Sequence, residues 1–179
     1  ALGHTHQHDG IYHAGKTAYA YAGCPEGRGF DELGEKGILA GTVECGRAQM
    51  QFVPFARRRY ETLCVDVTGK SPEDALRTAL PQMTARDIYR VVLTGETDER
   101  GVDLERLEER FAPDFFYLEV RDETRIGADV WARAEEDSLR GMFLRTLREK
   151  YDAAQDDAER AQIDLAVRFG LAALDGRDV

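Results

Sequence analysis

Leu63-Cys64-Val65-Asp66-Val67-Thr68-Gly69-Lys70-Ser71-Pro72-Glu73-Asp74-Ala75-Leu76 packs a strand, a turn and a helix start into one short stretch. Leu63, Val65 and Val67 alternate with other residues and form one face of a strand. Ser71 is a good N-cap, Pro72 suits the first helical position, and Asp74 follows the cap by three residues. Ala75, Leu76, Ala79 and Leu80 then give the helix its buried stripe. Further along, Ile88 to Leu93 reads as a second strand. Asp103 can cap a second helix whose Leu104, Leu107 and Phe111 share a face, and Pro113 stops it. Phe115 to Val120 is the third strand. The order β-α-β-α-β over residues 61–125 predicts a small two-layer α/β unit.

The flanks read differently. Residues 1–60 are glycine-rich and alternate with period two, as strands do. Tyr19 and Tyr21 alternate with Ala18, Ala20 and Ala22. Ile38, Ala40 and Thr42 alternate with Leu39, Gly41 and Val43, and Cys45-Gly46 marks a hairpin turn into Gln49–Val53, with Pro54 ending the pairing. A loop from Gly23 to Gly37 lies between these strands. Residues 128–175 predict helices. Leu139, Phe143, Leu147 and Tyr151 recur every four residues; Ile163, Val167, Leu171 and Leu174 do so in a second helix. Leu165, Phe169 and Ala172 broaden that second apolar face beyond what one neighbour covers.

The chain has 179 residues, 42% apolar and 32% charged, which is globular rather than disordered. Its apolar runs are too short for a transmembrane helix, and no basic region precedes an apolar one as in a signal peptide. Three cysteines (Cys24, Cys45, Cys64) without a CxxC fit reduced thiols, so the expectation is a cytoplasmic protein with no membrane partner. Net charge is -10. Residues 1–65 hold 7 basic and 7 acidic side chains, residues 66–125 hold 9 against 15, and residues 126–179 hold 8 against 12. Such a balance repels phosphate, so any nucleic-acid contact must be local.

Gly3-His4-Thr5-His6-Gln7 is the sharpest chemical signal. In an extended segment His4 and His6 project to the same side, and imidazole is the commonest protein ligand for transition metals. Two such ligands can serve one ion or one each of a pair. His8 and His13 read as solvent-exposed loop histidines, although His4, His6 and His8 together form a candidate site for an adventitious Zn²⁺ or Ni²⁺ ion.

Gly-His-Thr-His after an apolar residue, followed by a Gly/Pro loop and a hairpin, resembles the last motif of the calcineurin-like metallophosphoesterases. The continuation Ala22-Gly23-Cys24-Pro25-Glu26-Gly27-Arg28-Gly29-Phe30, then Glu32, then Gly34-Glu35-Lys36-Gly37, resembles the segment after that motif in SbcD/YhaO-like DNA repair exonucleases. The resemblance implies an α+β chain. Residues 1–60 would be the C-terminal β-hairpin strands of a metallophosphoesterase sandwich, residues 61–125 an α/β capping domain, and residues 126–179 a C-terminal helical hairpin. It also implies that His4 and His6 bind two divalent ions, usually manganese, one each. DNA would be the substrate, and a coiled-coil SbcC-like ATPase would dock on the helices. A homodimer through the apolar helix faces is a further expectation.

The family's other ligand motifs are an early Asp-x-His, a bridging Asp and a Gly-Asn-His-[Asp/Glu]. The sequence has no Asn and no His beyond His13, so it carries an incomplete site. No initiator Met is present either. The expectation is the C-terminal part of a longer nuclease, inactive alone. Arg28 and Lys36, in the loop beside the motif, are candidate phosphate contacts; loop ion pairs are the alternative, for Arg28 with Glu26 or Asp31. Arg57, Arg58 and Arg59 form the single basic run, a candidate DNA-backbone contact or a solvated linker. Trp131, Phe115, Phe116 and Tyr117 read as core packing. Two other readings stay open. One is a protein-interaction module whose HxH is incidental; the other is a metallophosphoesterase acting on nucleotides or phosphomonoesters.

Overall fold

The computed structural model describes residues 2–177 and is an α+β chain. Two antiparallel hairpins open it. Strands β1 (Ile11–Ala14) and β2 (Thr17–Ala20) pair around Gly15, whose φ of 60° suits glycine at the turn. Strands β3 (Gly37–Glu44) and β4 (Arg47–Pro54) form the expected hairpin, with Glu44 opposite Arg47 around Gly46 and Gly37 opposite Pro54. Gly41 is obligatory there, because a Cβ would overlap the Gln49 carbonyl.

The expected strand–helix alternation follows. It comprises β5 (Tyr60–Asp66), α1 (Pro72–Ala79), β6 (Ile88–Thr94), the two-residue β7 (Glu96–Thr97), α2 (Leu104–Phe111), β8 (Tyr117–Asp122) and β9 (Arg125–Ile126). Strands β5, β6 and β8 form a sheet in that order, and β7 pairs in parallel with β9. Both caps act as the sequence predicts. Ser71 Oγ accepts from the Asp74 N–H at 3.1 Å, and Asp103 Oδ1 accepts from the Arg106 N–H at 3.0 Å. Helices α3 (Ala128–Ala132), α4 (Leu139–Ala153) and α5 (Asp157–Leu174) complete the chain.

The chain divides into two compact units. The first comprises Ala1–Leu63, Pro81–Val91 and Glu108–Glu119; the second comprises Cys64–Leu80, Val92–Leu107 and Val120–Val179. In the first, Ile88 N–H donates to the Arg59 carbonyl and Phe116 N–H to that of Asp87, which clasps three chain segments together. Tyr89 and Phe115 are buried there with their rings edge to face, 5.2 Å apart. Phe115 thus packs as predicted, whereas Phe116 and Tyr117 are 53% and 55% exposed. Strand alternation explains part of this correction, because a neighbour of a buried residue points to the other face.

The second unit's core joins Ile126, Val130, Trp131, Ala134, Leu144, Val167 and Leu171, with Phe143, Leu147, Tyr151 and Ile163 packed around it. Arg168 ties α5 to the strand ends. Its guanidinium donates to Asp122 at 2.9 Å, to Thr97 Oγ1 at 3.0 Å and to Thr124 Oγ1 at 2.8 Å. The broad apolar face predicted for the helices is partly left open, with Leu139, Met142, Leu165 and Phe169 each about half exposed or more. Among the described residues, no helix is long and apolar enough to cross a membrane.

Candidate metal centre

The histidine motif lies in the first unit, beside β2 and under the glycine-rich loop. Leu2 N–H donates to the Ala20 carbonyl, and Leu2 bridges Tyr21. Cys24 N–H donates to the His6 carbonyl at 3.3 Å, as does the Lys36 ammonium at 3.5 Å. Gly23, at φ 76°, lets this approach happen: a Cβ would come within 2.9 Å of the His8 nitrogen. The Gly23–Gly37 loop therefore wraps the backbone of residues 6–8.

His4 departs from the extended geometry expected of an HxH strand. Its φ is 81°, and no other described non-glycine residue has a positive φ. Histidine tolerates that region better than most residues, yet such strain persists only where its surroundings impose it, often at functional sites. The two imidazoles are therefore not presented by simple strand alternation.

His6 has a more definite setting. Its Nδ1 lies 2.6 Å from Glu32 Oε1, and Glu32 is 6% exposed. The same oxygen accepts from the Arg28 guanidinium at 2.9 Å, and the Arg28 N–H donates to Oε2 at 2.9 Å. That guanidinium, bonded to the carboxylate, holds Glu32 down to about 2 against the opposing effect of burial, with His6 adding to the lowering. An ionised carboxylate cannot donate, so the short bond requires the proton on His6 Nδ1. In the neutral ring the lone pair is then on Nε2, as in a metal-binding histidine buttressed by a carboxylate, but the Arg28 guanidinium lies 3.0 Å from Nδ1 and 3.4 Å from Nε2 and occupies that side of the ring.

Around this triad, Thr5, His6, Gln7, Phe30, Asp31, Glu32, Leu33 and Lys36 line an open cleft of about 420 Å³. Lys36 is buried and reaches the His6 carbonyl, and it makes no ion pair among the described residues. Arg28 is ion-paired, but to Glu32 rather than to Glu26 or Asp31. Burial beside Glu32 pushes the Cys24 thiol up, and its Sγ–H donates to the His6 carbonyl at 3.3 Å.

The other histidines separate from this site. His8 donates Nδ1–H to the Tyr21 carbonyl at 2.8 Å and stacks on Phe52 with centroids 4.7 Å apart, so it is half-buried rather than a free loop residue. His13 is exposed in β1, opposite Ala18, and not in a loop. Among the described residues, no three His, Cys, Asp or Glu side chains come together to hold an ion. The donor set therefore offers one carboxylate-oriented ligand, His6, beside the Arg28 guanidinium, and supplies only part of a coordination shell.

Of the basic run, Arg59 pairs with Glu35 at 2.7 Å, Arg58 lies over the Phe116 ring at 3.6 Å, and Arg57 is exposed. Sequence reasoning missed Glu32 as the His6 partner, and also Arg86 and Phe116, which the fold sets beside Arg57 and Arg58. Glu32 stands four residues after Arg28, a spacing that signals a pair only on a helix, and this loop is not one. No protein-family model and no curated protein matches the chain.

Proposed function

We propose that the chain is the distal part of a two-metal DNA exonuclease of the SbcD/YhaO-like kind, a calcineurin-like metallophosphoesterase. His4 and His6 would be its contribution to a pair of divalent ions, manganese by resemblance. The observation that carries this reading is the 2.6 Å bond from His6 Nδ1 to the buried, ionised Glu32, with Nε2 the ligand atom once an ion displaces the Arg28 guanidinium that lies 3.4 Å from it. When bound, the ions lower the pKa of a coordinated water and neutralise charge on the scissile phosphate. The chain's own residues do the rest. Glu32 fixes the His6 ring, Arg28 balances the Glu32 charge, and Lys36 and Cys24 anchor the His6 backbone.

In the same reading, residues 61–125 are the cap that admits DNA, and residues 126–179 dock on a coiled-coil SbcC-like ATPase. The exposed Leu165 and Phe169 of α5 support that docking role. They also favour the second reading, an interaction module with an incidental HxH, in which replacing His4 and His6 leaves partner binding intact.

The test is Mn²⁺-dependent degradation of linear duplex DNA by the product of the complete open reading frame. His6→Ala is expected to abolish cleavage, and Glu32→Gln to reduce it about 10- to 100-fold through weakened metal binding. Cleavage by His6→Ala at the wild-type rate would overturn the proposal. Activity on nucleotides or phosphomonoesters with none on DNA would replace the nuclease with another member of the superfamily.

A further inference from the structure

In the first unit, Arg57, Arg58, Ala85, Arg86 and Phe116 line a shallow concavity of about 410 Å³, with no carboxylate among them. The absence is notable in a chain so rich in acid. That unit carries ten basic and twelve acidic side chains, against fourteen and twenty-two in the other. Three other arginines of the unit are ion-paired: Arg59 with Glu35, Arg28 with Glu32, and Arg90 with Glu119. None of Arg57, Arg58 and Arg86 makes an ion pair among the described residues. Three adjacent unneutralised guanidinium groups make a local positive field, and acids more than about 10 Å away are screened from it at 0.1 M salt.

The patch is built rather than floppy. Arg86 donates Nε–H to the Arg57 carbonyl and an Nη2–H to the Ala56 carbonyl, which leaves guanidinium hydrogens facing outward. Buried Thr84 donates to the Asp114 carbonyl at 2.6 Å, Arg59 N–H to Asp87 Oδ1 at 2.9 Å, and Phe116 N–H to the Asp87 carbonyl. The three segments that bear the patch are therefore clasped to one another before any ligand arrives, which lowers the ordering cost of binding. The Arg58 guanidinium carbon lies over the half-exposed Phe116 ring, 3.6 Å from the centroid. The outer face of that pair is a ready stacking surface.

We propose that this patch seats a single strand of the nucleic acid, with Arg57 and Arg86 on consecutive phosphates and one unstacked base on the Phe116–Arg58 pair. The choice of a nucleic acid rests on the nuclease reading above; the single-stranded form comes from the patch. A duplex offers phosphates but keeps its base faces stacked, so the aromatic platform would go unused. A single strand uses both, because base–aromatic and guanidinium stacking tolerate any base. An acidic peptide would satisfy the arginines and leave Phe116 idle.

The test is fluorescence anisotropy with a labelled twenty-nucleotide oligothymidylate and with a matched duplex, in EDTA so that no cleavage occurs, over a range of NaCl. The wild-type chain is expected to prefer the single strand. Arg57→Gln with Arg86→Gln should weaken binding at least tenfold and flatten the log–log salt slope by about 1.4, two phosphates on a single strand. Phe116→Leu should weaken it about 5- to 150-fold with the salt slope unchanged. Arg59→Gln, whose partner is Glu35, is the control and should bind as wild type. These residues are exposed or partly exposed, and unchanged circular dichroism and melting midpoints would show that each variant folds.

No binding by the wild type, equal affinity for duplex and single strand, or an unchanged Phe116→Leu would overturn the proposal. So would competition by poly-glutamate that depends on the arginines but not on Phe116. The two readings fail separately. Patch-dependent binding by a complete protein that never cleaves DNA sinks only the nuclease. His6-dependent cleavage with patch variants that bind as wild type sinks only the patch.

Discussion

Glu32 is nearly inaccessible to solvent yet ionised, because Arg28 and His6 both spend donors on it. Removing that charge leaves the His6 ring free to rotate and to exchange tautomers. Glu32→Gln should thus shift the His6 ring nitrogens in long-range ¹H–¹⁵N spectra away from the Nδ1–H pattern of the wild type; an unchanged pattern would show that the carboxylate does not set the tautomer. Asp164 is the opposite case. Its carboxylate is buried, and burial pushes its pKa up against the opposing effects of the Ile126 N–H and Arg168. The folded state then holds this proton more tightly than the unfolded state, so rising pH through the unfolded carboxylate range removes stability. Asp164→Asn should gain stability at pH 7 relative to pH 4, compared with wild type, in urea titrations at both values. The reverse ordering would mean that Asp164 is ionised and well paired. Sequence alone could expose the HxH motif, whose spacing is local, but not these settings. The loop offers Glu26, Asp31, Glu32 and Glu35 as partners, and only the fold selects one. Arg86 and Phe116 are likewise brought to Arg57 by the fold, from about thirty and about sixty residues away.

Among the elements, α4 and α5 show which parts of a periodic pattern translate into contacts. Val167 and Leu171 are fully buried, as their four-residue spacing requires. Leu171→Ala should therefore lower unfolding free energy by about 2–5 kcal/mol in denaturant titrations. Gly170 carries no sequence signal, yet a Cβ there would overlap the Phe143 ring. Alanine gains about 1 kcal/mol of helix propensity over glycine, but overpacking costs about 1–3 kcal/mol. Gly170→Ala should lower the melting midpoint, and the same change in a Phe143→Leu background should not. Equal effects in both backgrounds would place the strain elsewhere. Caps were legible because Ser71 and Asp103 act within three residues of themselves. The exposure of Leu139, Leu165 and Phe169 was not, because periodicity identifies a face without naming what covers it.

For the whole molecule, the alternation of strands and helices between residues 60 and 122 follows from local pattern and turn chemistry. The first strand, Ile11–Ala14, escaped because it is short and three of its four side chains are exposed. The division into two units interleaves segments distant in sequence, which no composition shift along the chain announces. The charge is divided too, with most of the acid excess on the unit that lacks the histidines. That distribution leaves the first unit close to neutral and the second strongly acidic. The proposed role of the first unit is to supply a metal ligand, His6, oriented by Glu32. Calorimetric titration of Mn²⁺ into the product of the complete open reading frame tests it most directly. Glu32→Gln should bind the ion about 10- to 100-fold more weakly than wild type, and His6→Ala more weakly still. Identical affinity in all three proteins would contradict the account.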